Sequence, residues 1–179
     1  HLRRVILSFR PSMSQHRSVG DPLLSCDWYL LIPNIPGASD TRRMSYKVVS
    51  TALPGSQIEQ VTMEIGAKKF NFAGRRVYSG SWTATLVETA DASTRGDLLR
   101  WMDMARPYVS GAGTFRNVYG QTAELRVYDA MNNVAVSSVI HALFPISIDD
   151  TPLEQSSSII QYSVTFSFDY ADEVMGDLG

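Results

Sequence analysis

The stretch QYSVTFSFDY, residues 161–170, alternates without a break between large apolar and mostly small polar side chains. Tyr162, Val164, Phe166, Phe168 and Tyr170 fall on one side, and Gln161, Ser163, Thr165, Ser167 and Asp169 on the other. Successive side chains of a strand point to opposite faces, so this period of two predicts a strand with one face in a core and one in water. Threonine is itself a good strand former, so the outer face stays wettable without weakening the strand.

Working outward from this stretch, the same period recurs. Ser81 to Glu88 places Trp82, Ala84 and Leu86 on one face. Ile58 to Ile65 puts Val61, Met63 and Ile65 inward and Gln60, Thr62 and Glu64 outward, and Gly66 turns the chain into a short strand holding Phe70 and Phe72. Ala123, Leu125 and Val127 alternate with Glu124, Arg126 and Tyr128; Asp129 to Asn133 reads as a hairpin turn, and Val134 to Leu143 as the returning strand. The pair Phe144-Pro145 is expected to break that strand, because proline cannot donate to a ladder. Nearer the N-terminus, Cys26, Trp28, Leu30 and Ile32 form one face of a strand that ends at Pro33, which makes Cys26 a core residue. Asn34 to Arg43, rich in turn formers, reads as a loop, and Tyr46 to Leu53 as a strand closed by Pro54-Gly55.

One segment changes period. In Ser93 to Arg106, Leu98, Trp101, Met102 and Ala105 recur at helical spacing, Thr94 to Asp97 has the form of a capping signal, and Pro107 follows. Strands, then one helix, then strands predict a mainly β fold: an antiparallel sandwich or barrel with a single packed helix at about residues 93–106. The 179 residues suit one domain, 25–179, preceded by an arm, 1–24, whose Arg3, Arg4, Arg10, His16 and Arg17 precede the first acid, Asp21. A first residue of His and not Met leads us to expect that the translated product extends further.

Composition narrows the function. A formal net charge of −2 and the lack of a basic run beyond the arm argue against tight nucleic-acid binding, which needs clustered cations. A single cysteine cannot form an internal disulfide and suits a reducing cytoplasm. There is neither an apolar run long enough for a membrane span nor an adequate signal-peptide core. There is no P-loop, GxGxxG, HExxH or GxSxG. His1, His16 and His141 lack metal-ligand spacing, and His141 reads as a structural histidine. Gly111-Ala112-Gly113 reads as a loop, and Asp149-Asp150 before Pro152 as a turn and not a catalytic carboxylate pair. No catalytic, cofactor-binding or metal residue is assigned, and the chain is not expected to be an enzyme.

Two blocks carry a family resemblance. Residues 50–103, STALPGSQIEQVTMEIGAKKFNFAGRRVYSGSWTATLVETADASTRGDLLRWMD, combine a Pro-Gly turn, a basic-apolar strand, an S-x-T-x-T strand and a helix ending in Trp101-Met102-Asp103. Residues 141–173, HALFPISIDDTPLEQSSSIIQYSVTFSFDYADE, combine an aromatic-Pro pair, a loop and the alternating strand. In this order they resemble the tail tube family of contractile-tailed bacteriophages, related to type VI secretion tube proteins. That resemblance implies hexameric rings stacked into a tube inside a contractile sheath. The implied partners are other copies, the sheath, and baseplate and terminator proteins; DNA passes through without specific binding. The particle would be a virion tail assembled in the host cytoplasm. The basic arm and Ser56, where the family has a basic residue, leave room for a baseplate tube-initiator or a type VI-like injection tube protein. A β-sandwich binding module is the alternative from another class. Arg3, Arg4, Arg10, Arg17, Asp40, Arg42, Arg43 and Tyr46 are the candidates for ring–ring or tube–sheath contacts. Gln60, Thr62, Glu64, Thr83 and Thr85 are the candidates for lumen lining.

Overall fold

A computed structural model describes residues 20–38 and 40–176. It contains nine strands: β1 (Trp28–Leu31), β2 (Val48–Thr51), β3 (Ser56–Ile65), β4 (Lys68–Tyr78), β5 (Ser81–Val87), β6 (Gln121–Tyr128), β7 (Val134–Ile148), β8 (Gln161–Ser167) and β9 (Tyr170–Met175). Three helices accompany them: α1 (Thr41–Tyr46), α2 (Ser93–Ala105) and the single turn α3 (Arg116–Tyr119). The fold is mainly β with one substantial helix, as the alternation predicts.

Seven strands form one antiparallel sheet in the order β1-β6-β7-β8-β5-β2, with β9 also on β7. Strand β7 is where this sheet folds over. Its residues 134–143 pair with β6 and residues 136–141 with β9, whereas residues 144–148 pair with β8. Ala142, at φ 57, marks the corner. Strands β8 and β9 follow the same bend, separated by Phe168 and Asp169 alone. Both halves bury side chains in one core: Leu30, Leu125 and Ile140 from one, Trp82, Leu86, Val164 and Phe166 from the other. The strand therefore runs through Phe144-Pro145, contrary to the expected break. Pro145 pairs with Phe166 on its β8 side, its ring is buried, and beyond β7 at this level no further strand is described. With no neighbour there, the missing N–H costs no ladder bond.

Helix α2 plugs the core. Leu98 and Trp101 are fully buried, and the Trp101 ring lies 6.0 Å from Phe166 and donates from Nε1 to the Tyr119 carbonyl at 2.7 Å. The expected Thr94–Asp97 cap is replaced by a carboxylate from outside the helix. Glu88 accepts the backbone N–H groups of Thr94 and Arg95, both at 3.0 Å, and that of Thr89 at 2.8 Å. Burial alone would raise the Glu88 carboxyl, but these three donors outweigh it and hold the group below its ordinary value. Next to it, hydroxyls of Thr89 and Ser93 hold Asp91 down at about 2.

Three other expectations fail locally. The turn-rich stretch ends not in a loop but in α1, where Asp40 accepts the Arg42 N–H at 3.1 Å and Met44 is buried; Tyr46 closes this helix instead of opening a strand. Cys26 lies in an exposed turn before β1 and not in the core, because the strand begins two residues later. The predicted short Phe70/Phe72 strand is the eleven-residue β4.

Candidate functional site

Strands β3 and β4 form a two-stranded sheet of their own, outside the seven-stranded one. Register pairs Val61 with Phe72, Met63 with Phe70 and Ile65 with Lys68 on one face. On the other, Gln60 meets Ala73, Thr62 meets Asn71 and Glu64 meets Lys69. The hairpin is thus amphipathic, as its alternation predicts. Its apolar face, however, is not inward: Val61, Met63, Ile65, Phe70 and Phe72 are 44–59% exposed. An isolated two-stranded hairpin is marginal in water, and a contiguous apolar face left open marks a surface that something else covers.

Two glycines shape this hairpin. Gly66, at φ +61, opens the two-residue turn at the tip. Gly74 faces the bulge between Ile58 and Gln60, where an added Cβ would meet the Glu59 carbonyl at 2.8 Å. At the root, the Tyr78 hydroxyl donates to the Ala171 carbonyl at 3.0 Å and its ring packs edge-on to Phe168. The hairpin is tied to the body at one end and stands free along its length.

A second surface lies on the outer face of β5 and β8. Opposite the buried Trp82, Ala84 and Leu86, β5 presents Ser81, Thr83 and Thr85; opposite Tyr162, Val164 and Phe166, β8 presents Ser163, Thr165 and Ser167. Register sets these hydroxyls side by side: Ser81 with Ser167, Thr83 with Thr165, and Thr85 with Ser163. Ser50 of β2 continues the row beside Thr85, and Ser147 of β7 beside Thr165. No Asp, Glu, Lys or Arg occurs in β2, β5, β8 or residues 144–148. The other half of the sheet differs. There Arg126 donates to Glu124 at 2.7 and 2.8 Å, and Asp172 reaches His141 at 3.0 Å.

The lumen candidates therefore occupy two places: Thr83 and Thr85 on the hydroxyl face, Gln60, Thr62 and Glu64 on the polar face of the hairpin. Both ends of the hairpin join strands of the hydroxyl half, through Ala52–Gly55 after β2 and Ser79-Gly80 before β5. Of the contact candidates, Asp40, Arg42, Arg43 and Tyr46 gather on α1 and its cap. Arg42 is exposed, Arg43 lies 3.7 Å from Asp91, and Tyr46 is exposed with its ring 6.0 Å from Tyr29. Arg3, Arg4, Arg10 and Arg17 lie outside the described residues, as do His1 and His16.

The remaining readings resolve individually. His141 is half-buried in β7, stacked on Tyr170 at 4.5 Å. Asp149 and Asp150 are exposed just past β7. Trp82 and Trp101 are buried, so neither offers an aromatic binding platform, and Trp28 is half-buried. Among the described residues, no cluster of three or more His, Cys, Asp or Glu is placed to hold a metal, and no helix is long and apolar enough to cross a membrane. The sequence reading missed that the hairpin is freestanding. No signal in the sequence could have found it, because the alternation of residues 56–78 is of the same kind as that of the buried strand β5 that follows.

No protein-family model matches this chain, and no curated protein matches it. Solved structures do. The anti-feeding prophage tube-terminating cap superposes with a TM-score of 0.64 at 12% identity, over 96% of this chain and 99% of that one. A chain of the sheath–tube complex of an extracellular contractile injection system, PVC, in its extended state gives 0.61 at 11%, over 93% and 99%. A type six secretion system protein gives 0.51 at 17%, over 83% of each chain. Over nearly its whole length, then, this chain has the fold shared by tube-associated proteins of contractile injection systems, the tail-tube fold.

Proposed function

We propose that this protein is a structural subunit of the tail tube of a contractile-tailed bacteriophage, self-assembling into stacked hexameric rings inside a sheath. The observation that carries this reading is the β3–β4 hairpin. Five large apolar side chains on one face of this hairpin, Val61, Met63, Ile65, Phe70 and Phe72, stand open to water together, which is the surface of a subunit and not of a finished monomer. The unpaired edges of β1 and β2 add to it, since open sheet edges call for partners or blocks. Closing contacts between unlike surfaces make rings, and non-closing ones make stacks.

The hydroxyl face supports a conducting role. A polyanion passing a surface without cations releases no counterions and is not held. Thr83 and Thr85, with the hairpin's Gln60, Thr62 and Glu64, are the residues assigned to the lumen. The α1 group Asp40, Arg42, Arg43 and Tyr46, with the arm residues Arg3, Arg4, Arg10 and Arg17, is assigned to ring–ring or sheath contacts. Baseplate and terminator proteins would meet the two ends of such a tube.

A second reading is an end-of-tube component, favoured by the 96% coverage of this chain by a tube-terminating cap. Negative-stain electron microscopy with light scattering separates the outcomes. Long hollow stacks support the tube subunit, and a single ring at every concentration supports the end component. A monomer that never associates rejects both.

A further inference from the structure

The β3–β4 hairpin meets the body only at its root, and the links there are of two kinds. Its covalent legs, residues 52–55 and 79–80, leave the neighbouring strands β2 and β5 at the same end of their ladder, where Thr51 lies opposite Ala84. The first leg is pinned to that ladder. Trp82 Nε1 donates to the Ala52 carbonyl at 2.6 Å, and Thr51 Oγ1 donates to the Thr83 carbonyl at 3.3 Å. In the second leg the Ser79 hydroxyl donates to the Ser81 carbonyl at 2.9 Å. Links that all lie along one pair of strands define a hinge line. They fix where the hairpin starts and leave its tilt about that line free.

One contact lies off the line. Tyr78, the last residue of β4, donates from its hydroxyl to the Ala171 carbonyl at 3.0 Å, and Ala171 belongs to β9, in the half of the sheet beyond the bend. The Tyr78 ring meets Phe168, in the bend itself, edge-on at 6.4 Å. Ala171 and Phe168 are both buried, so the anchor belongs to the fixed body. Of the hydrophobic side chains in residues 56–78, Tyr78 is the one that packs against the core.

Leverage makes this one contact matter. Strands of ten and eleven residues form an arm about 33 Å long at the rise of a strand. A tilt of about 10° at the root then carries the tip by about 6 Å, more than the ~4–4.5 Å within which apolar side chains touch. An angle left free until association would have to be ordered there, at a cost in affinity.

On the tube-subunit reading, on which this inference rests, we propose that Tyr78 is the positioning residue that sets the angle of the hairpin to the body and so pre-orders the subunit for assembly. The ring packs on the bend, and the hydroxyl fixes the tilt through the Ala171 carbonyl.

The test measures that angle in the full chain, with the exposed Cys26 replaced in a Cys26→Ser background. Ala67→Cys at the exposed tip and Thr122→Cys at an exposed position of β6 carry spin labels. Labelled chains are diluted in unlabelled ones, so that pulsed electron spin resonance reads distances within one chain. The parent is expected to give one narrow distance distribution. Tyr78→Phe keeps the ring and is expected to widen the distribution by about 3–6 Å. It should lower the thermal midpoint by no more than about 6 °C and raise the dissociation constant for assembly about tenfold. Arg75→Gln is the control. It removes the bonds to Glu59 at 2.9 and 3.2 Å, which lie within the hairpin, and is expected to leave the width unchanged. A broad parent distribution, a Tyr78→Phe width equal to the parent's, or equal broadening by Arg75→Gln overturns the proposal. So does unimpaired assembly of Tyr78→Phe despite a widened distribution. Parent protein that stays monomeric when concentrated removes the tube reading, and the distances then still decide whether Tyr78 sets the angle.

Discussion

Strands β5 and β8 and strands β3 and β4 are written in the same alternating pattern and come to opposite ends. In the first pair Trp82 lies opposite Phe166, Ala84 opposite Val164 and Leu86 opposite Tyr162, and all six are buried. In the second, Val61 lies opposite Phe72 and Met63 opposite Phe70, and all four are about half exposed. A period of two states that one face of a strand must be covered. It does not state by what. The body strands find cover within the chain, from the folded-over sheet and from α2. The hairpin finds none among the described residues.

That contrast can be broken most sharply in pairs. Phe166→Ala should cost the isolated subunit about 3–5 kcal/mol in denaturant unfolding, because Phe166 touches both Trp82 and Trp101 at the centre of the core. The matching change Phe72→Ala should stay within about 0.5 kcal/mol, as an exposed substitution does. Equal losses would mean that the hairpin is part of the body after all. Gly74→Ala should come next, with a strain of about 1–3 kcal/mol confined to the hairpin. Hydrogen exchange should rise over residues 56–78 while the thermal midpoint of the body holds.

Glu88→Gln sharpens the other side, since the body depends on contacts that no alternation encodes. Replacing the charged cap of α2 should cost about 1–2 kcal/mol by thermal melting. Acid should act through the same place. Glu88 lies below its ordinary value of 4.5 and Asp91 at about 2 in the fold. Groups depressed by folding stabilise it fully above their unfolded values and lose that contribution as pH falls through the folded ones. Unfolding free energy should therefore decline from near pH 4.5 toward pH 2, less steeply in Glu88→Gln. The smallest effect expected is that of Thr83→Val. It keeps a β-branched side chain on an outward position, so stability should shift by no more than about 0.5 kcal/mol.

Much of the body was legible because its strands carry their partner's requirements locally. Ser81–Val87 and Ser93–Ala105 lie within a residue or so of where their periods place them, whereas the single strand expected over residues 161–170 ends at Ser167, where the chain bends at Phe168 and Asp169 into β9 and leaves Tyr170 exposed. The places that were not legible share a cause. Helix α1 is six residues long and rests on the Asp40 cap and on burial of Met44, neither of which shows as periodicity. Pro145 reads as a strand breaker until the neighbour it would have bonded is known to be missing. Cys26 shares a parity with Trp28 and Leu30 but lies before the strand begins. Glu88 caps a helix that starts five residues later, a contact made by the turn between them. Of the candidate surfaces, the hydroxyl row of Thr83 and Thr85 was legible from alternation, and its joining with Ser163, Thr165 and Ser50 required the strand order.

What the amino-acid sequence determined by itself was which side chains share a face, where the helix lies, and that little charge sits on the strands around Thr83 and Thr165. Those properties follow from backbone geometry, which repeats every two residues in a strand and every 3.6 in a helix whatever surrounds it. Only the tertiary structure decided which faces meet. It folded the sheet at Ala142, brought β1 and β2 to the rim of one cleft, and left β3 and β4 standing outside. The physical reason is that burial is a relation between surfaces distant in sequence. For the hairpin, no second surface is found among the described residues.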